Sequence, residues 1–535
     1  VNSSAVQAED NFLSFLNSAN TFDVGQVAEG AGTSIADPTV TQDSGVNDAA
    51  ADPKVDAAED TKKDDSESKS DASAADANDD KEADDKEKDE DGDITKLSEK
   101  IEALEKGQEK FEESLEKVEE LAGNKAIVVG GTSKSTMKIS GRIHLDGWGF
   151  DTDEDPAIDQ FNGGTDPQNR LGFRRLRIGL AGKIKDNMIY KIEFEFAGAN
   201  DLEFRDNFIG WTDLPFLQEV LAGNQKRPLG LDHLNSSRHN VFLERPAIIE
   251  AFNEDARRLG LQSYGISDDL VWNWRYGVFN QRNIQDEGEY VGDHLQLQLA
   301  GRLATTYWYD ETSGGRGYGH FAISGSHADV SNNSVRDENN QTGGTEGRFR
   351  TRPEARTDST RWLDTGRIAG ADYYDLIGLE SALNLGSLQI VGEYMHNWVE
   401  RDGFDDVDFG GGYVYASYFL TGEHMPWDRE SGTIDRVKPF QNFWLVDTAG
   451  GGREAGWGAL QVAARYSQAD FTDGDIFGGI GENWTFGMNW FWNENAKLQF
   501  NYVTGKISDS TVGDRAGAPV SGDYDIYGVR AIVDF

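Results

Sequence analysis

The sequence predicts an all-β fold: a transmembrane antiparallel β-barrel of about 16 strands, preceded by a short α-helical coiled coil and a disordered acidic N-terminal tail. Three observations carry that prediction. Apolar and polar residues alternate with period two in segments of about nine or ten residues, the length a tilted strand needs to cross a bilayer. No run approaches the roughly 18–20 consecutive apolar residues of a transmembrane helix. The final segment alternates through Tyr527, Val529, Ala531 and Val533 to Phe535, the last residue given.

Composition fits the same answer. The 535 residues are 37% hydrophobic, carry a net charge of −44 and have a mean hydropathy of −0.61. Only alternate strand residues of a barrel face lipid, so a polar average is compatible with membrane insertion. The 61 glycines and 13 tryptophans suit tight turns and interfacial aromatics. The absence of cysteine excludes a disulfide framework and a thiolate metal site. The chain starts at Val1, and a cleaved signal peptide is the simplest reading.

In chain order, residues 1–93 hold 26 acidic and 7 basic residues, net −19, among Ala and Ser. Such a segment cannot bury enough apolar surface to offset its ordering entropy and is predicted disordered. The apolar run Phe12-Leu13-Ser14-Phe15-Leu16 reads as a docking peptide or a processing remnant. Over 94–122, Ile94, Leu97, Ile101, Leu104, Gln108, Phe111, Leu115, Val118 and Ala122 recur at spacings of three and four, a coiled-coil seam. A single amphipathic helix on another surface is the alternative. A linker over 123–136 leads to the barrel over 137–535.

Within the barrel, Tyr190, Ile192, Phe194 and Phe196 interleave with Lys191, Glu193 and Glu195. Trp272, Trp274, Tyr276 and Val278 alternate with Asn273, Arg275 and Gly277, and Trp484, Phe486, Met488, Trp490 and Trp492 form another apolar row. A soluble sandwich also alternates. The aromatic density of one face and the charge on the other favour a barrel, with aromatic girdles outside and a polar lumen inside.

Basic residues supply the candidate chemistry. In an extended strand Arg348, Arg350 and Arg352 share one face at steps of about 6–7 Å, and Arg356 has the same parity beyond Pro353. Aligned guanidiniums would form a ladder for multivalent oxyanions, each rung offering bidentate bonds. The bland alternative is a solvated loop beside Glu346, Glu354 and Asp358. Arg175 and Arg177 share a face. Arg174 joins them in the lumen only if the strand carries a bulge.

The residues from 137 onward resemble the phosphate-selective porin O and P family. The matching segments include Gly141-Arg142, Phe173-Arg174-Arg175-Leu176-Arg177-Ile178-Gly179 and Tyr190-Lys191-Ile192-Glu193. They continue with Gly223-Asn224-Gln225-Lys226-Arg227-Pro228-Leu229, Phe242-Leu243-Glu244-Arg245 and Arg348-Phe349-Arg350-Thr351-Arg352-Pro353-Glu354, then Tyr418-Phe419-Leu420-Thr421-Gly422-Glu423 and Gly487-Met488-Asn489-Trp490. The resemblance implies a 16-stranded homotrimeric barrel, an inward-folded loop that narrows the pore, and a periplasmic N-terminal helix. It also implies anion passage past Arg and Lys residues, here Arg142, Arg174, Arg175, Arg177, Lys226, Arg348, Arg350, Arg352 and Arg356. Lys226 enters the segment that matches the folded-in loop, so it is the constriction candidate; a hairpin-flank lysine at the interface is the plain alternative.

The expected function is therefore a passive outer-membrane channel for small anions, phosphate or polyphosphate-like. The alternative is a structural barrel tethering the envelope, with a weakly selective or cation-preferring pore. Residues 126–535 are net −22, and acidic loops can reverse the field a small ion meets. Expected partners are phosphate or other small anions, outer-membrane lipid, two further copies of the chain, and a cell-wall or envelope component for the tail; no nucleic acid is expected. The tail and coiled coil are expected in the periplasm of a Gram-negative-type cell. No G-x-S-x-G elbow, H-E-x-x-H helix or zinc-ligand cluster occurs, so no enzyme, catalytic residue, metal or cofactor is expected. His233 and His239 flank the inward loop and would tune anion affinity with pH.

Overall fold

The computed structural model describes residues 135–152, 155–198, 202–254, 256–284, 296–330, 347–357, 360–447 and 452–535. The predicted tail, coiled coil and linker lie outside the described residues, apart from the last two linker positions. Sixteen antiparallel strands close into one barrel. They are β1 Lys138–Asp151, β2 Arg170–Ile184, β3 Met188–Glu195, β4 Glu203–Leu214, β5 Gln218–Lys226, β6 Arg257–Ile266, β7 Trp272–Asn280 and β8 Leu297–Tyr309. The circuit continues with β9 Gly317–Asp329, β10 Ala371–Leu385, β11 Leu388–Arg401, β12 Val407–Phe419, β13 Ala459–Asp473, β14 Ile476–Asn493, β15 Ala496–Ser510 and β16 Val520–Asp534. Closure pairs β1 with β16 from Arg142↔Asp534 to Asp151↔Asp525, and Phe535 and Gly141 exchange both backbone hydrogen bonds (2.8 and 3.1 Å). The barrel itself has no open edge, which removes the unpaired backbone groups that lipid could not satisfy.

Alternation decides which residue faces where. On β14, Trp484, Phe486 and Met488 are 44–49% exposed on the outer wall, while Asn483, Thr485 and Asn489 between them are at most 5% exposed. The outer face is apolar and the inner face polar, as period two requires.

Of the register breaks among the described strands, two lie close together beside the candidate arginines. Opposite β1, His144 pairs with Arg175 and Leu145 with Phe173, so Arg174 is an extra residue on β2. Between β3 and β4, Ile192 pairs with Asn207 and Phe194 with Phe204, which sets two residues, Arg205 and Asp206, against Glu193. A bulge turns consecutive side chains to one face. Arg174 and Arg175 therefore both enter the lumen, the condition the sequence left open.

One end of the barrel carries mostly short turns, down to two residues at Gly386-Ser387, where Gly386 takes φ 63°. Long loops lie at the other end, and two of them fold inward. The loop 227–256 between β5 and β6 holds helices α1 Leu231–Leu234 and α2 Ala247–Phe252. Gly230 starts α1 at φ 86°, where any Cβ would collide with the Glu393 carboxylate. Glu393, on β11, accepts the backbone N–H groups of Leu231 and Asp232 at 2.7 Å each. Further on, the carbonyls of Asn240 and Val241 accept from Lys497, Gln499 and Asn489 on β14 and β15. Wall side chains thus satisfy loop backbone that would otherwise be buried unpaired.

The described part of the β9–β10 loop, 347–357 and 360–370, packs on α2. Phe349 meets Phe252 at 5.3 Å, Tyr374 at 5.5 Å and Phe409 at 6.0 Å, and Phe471 closes the cluster 6.1 Å from Phe252. Ile248 and Ile249 are fully buried beside them. Each such side chain contributes about 1.5–3 kcal/mol on burial. The lumen thus contains an apolar core of its own, built against β10 to β14.

Candidate functional site: a basic chamber in the lumen

The packed loops leave space along the opposite wall. A cavity of about 430 Å³ is lined by residues of β1 to β7, by the loop 227–256 and by residues 428–435. Nine basic side chains face three acidic ones there: Arg142, Arg175, Arg177, Lys191, Lys226, Arg238, Arg245, Arg257 and Arg275 against Asp206, Asp428 and Asp435.

Most of these charges are braced. Arg142 donates to Glu193 (3.1 Å) and Ser237 (2.9 Å), and Arg177 pairs with Glu195 at 2.6 Å. Asp206 accepts from Lys191 at 2.6 Å and from Arg257 at 2.5 Å. Arg245 donates to the carbonyls of Asp232 (2.8 Å) and Asn235 (3.0 Å). Two arginines differ. Arg175 meets only the His144 ring, at 3.3 Å. Arg275 donates to the Ser431 carbonyl (3.1 Å) and lies 4.5 Å from the Tyr264 ring centre. Among the described residues neither has a carboxylate within ion-pair distance, and the Nε of each is buried without a partner. Desolvated donors in that state suit an arriving anion.

Glu244 fixes the inner loop above the chamber. It takes a bidentate pair of bonds from Arg174 (2.7 and 2.9 Å) and one from Arg530 (2.6 Å), and Arg530 also clasps Asp146 twice at 2.6 Å. Burial would raise the Glu244 carboxyl, but Arg174 and Arg530 hold it well below the usual carboxylate range. On the other inward loop, Glu354 accepts from Arg465, Ser467 and the Ala247 N–H, locking the two loops together.

The nine residues singled out from sequence fall into separate places. Arg142, Arg175, Arg177 and Lys226 line the chamber. Arg174 and Arg356 line a cavity of about 220 Å³ nearer the long-loop end, with Arg170 and Arg205. Burial and the Arg174 charge bring Arg356 down to about 10, with the Arg174 charge the larger cause, so it stays charged at neutral pH. Arg348 and Arg350 line a third cavity of about 120 Å³ with Arg227, Arg258 and Arg367. Arg348 there pairs bidentately with Asp364 (2.9 and 2.6 Å) and Arg350 with Glu254 (2.6 Å). Arg352 touches none of the three cavities; burial and then its neighbours Arg356 and Arg361 lower it to about 9. Of the expected ladder only Arg350 is in a strand, a two-residue ribbon with Thr351 that pairs with Leu363–Asp364.

Lys226 sits at the end of β5, where the chain turns inward. Its three N–H bonds run to the carbonyls of His233, Leu234 and Asn235 at 2.7–2.9 Å, so it caps α1 while lining the chamber. Burial and the surrounding cations lower His233, and burial brings His239 down to about 3. Both shifts run against the pH tuning expected of these histidines.

Arg257 and Arg275 were missed as site residues, although parity signalled Arg275: it alternates with the outward Trp272 and Tyr276. Ser431 and its neighbours had no signal. They belong to the long connection 420–458, which enters the lumen from the short-turn end. Trp427 stacks on Tyr318 at 5.1 Å and lies 4.6 Å from His320. Ile434 donates its N–H to Asn235 (3.0 Å), and its carbonyl meets His239 (3.1 Å).

The sequence model described as phosphate-selective porin O and P matches residues 137–535. The chain belongs to that family. The porin is 26% identical over 335 residues to an uncharacterized protein of Caulobacter vibrioides, a match spanning 62% of each chain. Among solved structures, OmpT of Vibrio cholerae aligns with a TM-score of 0.45 at 11% identity, over 77% of the porin and all of OmpT. The anion-selective porin of Comamonas acidovorans aligns with a TM-score of 0.43 at 14% identity, over 75% of the porin and all of its own chain. The outer-membrane channel DcaP of Acinetobacter baumannii gives 0.44 at 12% identity, over 76% and 99% respectively. Family membership and the closed sixteen-stranded barrel agree on an outer-membrane porin fold.

Proposed function

We propose that this porin conducts small anions, with phosphate-like oxyanions favoured, through the chamber walled by β1 to β7. The observation that carries the reading is the pair Arg175 and Arg275, buried guanidiniums without a carboxylate partner in a chamber of nine basic and three acidic side chains. An oxyanion there replaces lost water with charge-assisted bonds, while the braced arginines around it keep the site from binding too tightly for conduction. Arg170, Arg174, Arg205 and Arg356 act as an outer step on the same path. The porin works as a homotrimer, with its N-terminal segment in the periplasm and its long loops outside.

The net acidity of the chain does not oppose this. Asp375, Asp408 and Asp475 have side chains 55–57% exposed at the long-loop rim, outside the chamber. Single-channel recording in planar bilayers tests the reading. An anion-selective reversal potential in a salt gradient, with phosphate blocking chloride current, supports it; a cation-selective potential or no block refutes it.

A further inference from the structure

The connection 420–458 has a second half that leaves the lumen. Trp444–Asp447 pairs antiparallel with Arg453–Gly456 to form a ribbon. Just before it, Phe443 donates its N–H to the Trp492 carbonyl (2.6 Å), and its ring centre lies 4.6 Å from that of Trp490. Trp490 donates Nε1–H to the Trp457 carbonyl (2.7 Å). Trp490 shares the parity of Trp484, Phe486 and Met488, so the ribbon sits on the outer wall of β14 at the short-turn end.

The ribbon and its flanks expose four large apolar side chains, beside exposed Arg453 and Glu454. Phe440, Trp444, Leu445 and Trp457 are 67%, 68%, 59% and 78% exposed. Four such side chains on one short segment would be costly in water. Tryptophan and phenylalanine at the edge of a bilayer are not, since the ring sits among the acyl ends and headgroups. The same end of the barrel already carries outward Trp211, Trp272, Tyr307 and Tyr418 at 37–59% exposure, and the ribbon extends that girdle. Lys438, exposed two positions before Phe440, adds a positive charge suited to anionic headgroups.

We propose that the ribbon is a membrane-interface anchor, seating Phe440, Trp444, Leu445 and Trp457 in the headgroup–acyl boundary of the phospholipid leaflet at the short-turn end. The inference rests on the barrel spanning the membrane and not on which ion the pore selects. The lack of native cysteine makes the test direct. The full chain is refolded into phosphatidylethanolamine–phosphatidylglycerol vesicles with an NBD label at Leu445→Cys. Reference labels go at Asp268→Cys in the exposed 267–271 turn and at Leu303→Cys, outward on β8.

The Leu445 label should be quenched by a shallow nitroxide lipid several-fold more than the Asp268 label, and shielded from aqueous iodide much as the Leu303 label is. Iodide quenching equal to that at Asp268 overturns the proposal. Efficient disulfide cross-linking between copies at Trp444→Cys overturns it too, since a second chain would then cover the patch.

Discussion

Glu244 receives hydrogen bonds from arginines on two strands, and one of them, Arg530, also holds Asp146. Removing one member of such a buried set leaves charges that nothing else neutralises. Arg530→Met should cost about 3–5 kcal/mol, read as a lower urea midpoint for the refolded barrel; an unchanged midpoint would show that water takes over. Arg175 has the opposite character, since it holds no carboxylate. Arg175→Glu should leave the urea midpoint nearly unchanged, shift the reversal potential towards cations and weaken phosphate block, whereas Arg348→Gln should do neither. His239, lowered to about 3, defines a pH window. The unfolded chain binds a proton near 6.5 that the folded loop refuses until about 3. Stability therefore rises with pH across that window and is flat above it. In His239→Gln the stability difference between pH 4 and pH 8 should shrink by on the order of 2–3 kcal/mol.

The bulge at Arg174 belongs to the scale of the element. Because His144 already faces Arg175 and Leu145 faces Phe173, excising Arg174 restores a regular register without turning any other side chain over. The deletion should keep the β-sheet circular dichroism of the folded barrel. It should also free Glu244 from one clamp and raise open-channel noise; loss of folding would show that the bulge is needed for closure. The bulge also marks where sequence reading stops. Period two exposed the strands, and the outward row on β14 needed nothing else. Whether Arg174 and Arg175 share a face depends on the register against β1, which lies 30 residues away and leaves no local trace. The bracing of Arg348 by Asp364 was equally hidden, because a two-residue ribbon has no period to detect. Arg275 was legible by parity alone. Ser431 was not, since the connection that carries it obeys neither helical nor strand periodicity.

At the scale of the whole molecule, the chamber carries nine basic against three acidic side chains, while Asp375, Asp408 and Asp475 lie exposed at the rim. Exposed rim carboxylates act over a Debye length of about 30 Å at 0.01 M salt but only about 3 Å at 1 M. Replacing Asp375, Asp408 and Asp475 together by Asn should therefore raise anion current at low salt and leave it unchanged at high salt, measured as the conductance ratio to wild type; an equal effect at both would place those residues inside the conduction path. The lumen is also divided around its circumference. The strands β1 to β7 wall the chamber, while Glu393, Asn489 and Gln499 on strands from β10 onward bond loop backbone from the other side. The chamber is therefore written on one arc of the ring that is contiguous in the chain, and that arc also clamps the loop 227–256 through Arg142 and Arg174. Exchanging the inward residues of that arc for those of another member of the family would amount to changing a filter in a standing frame.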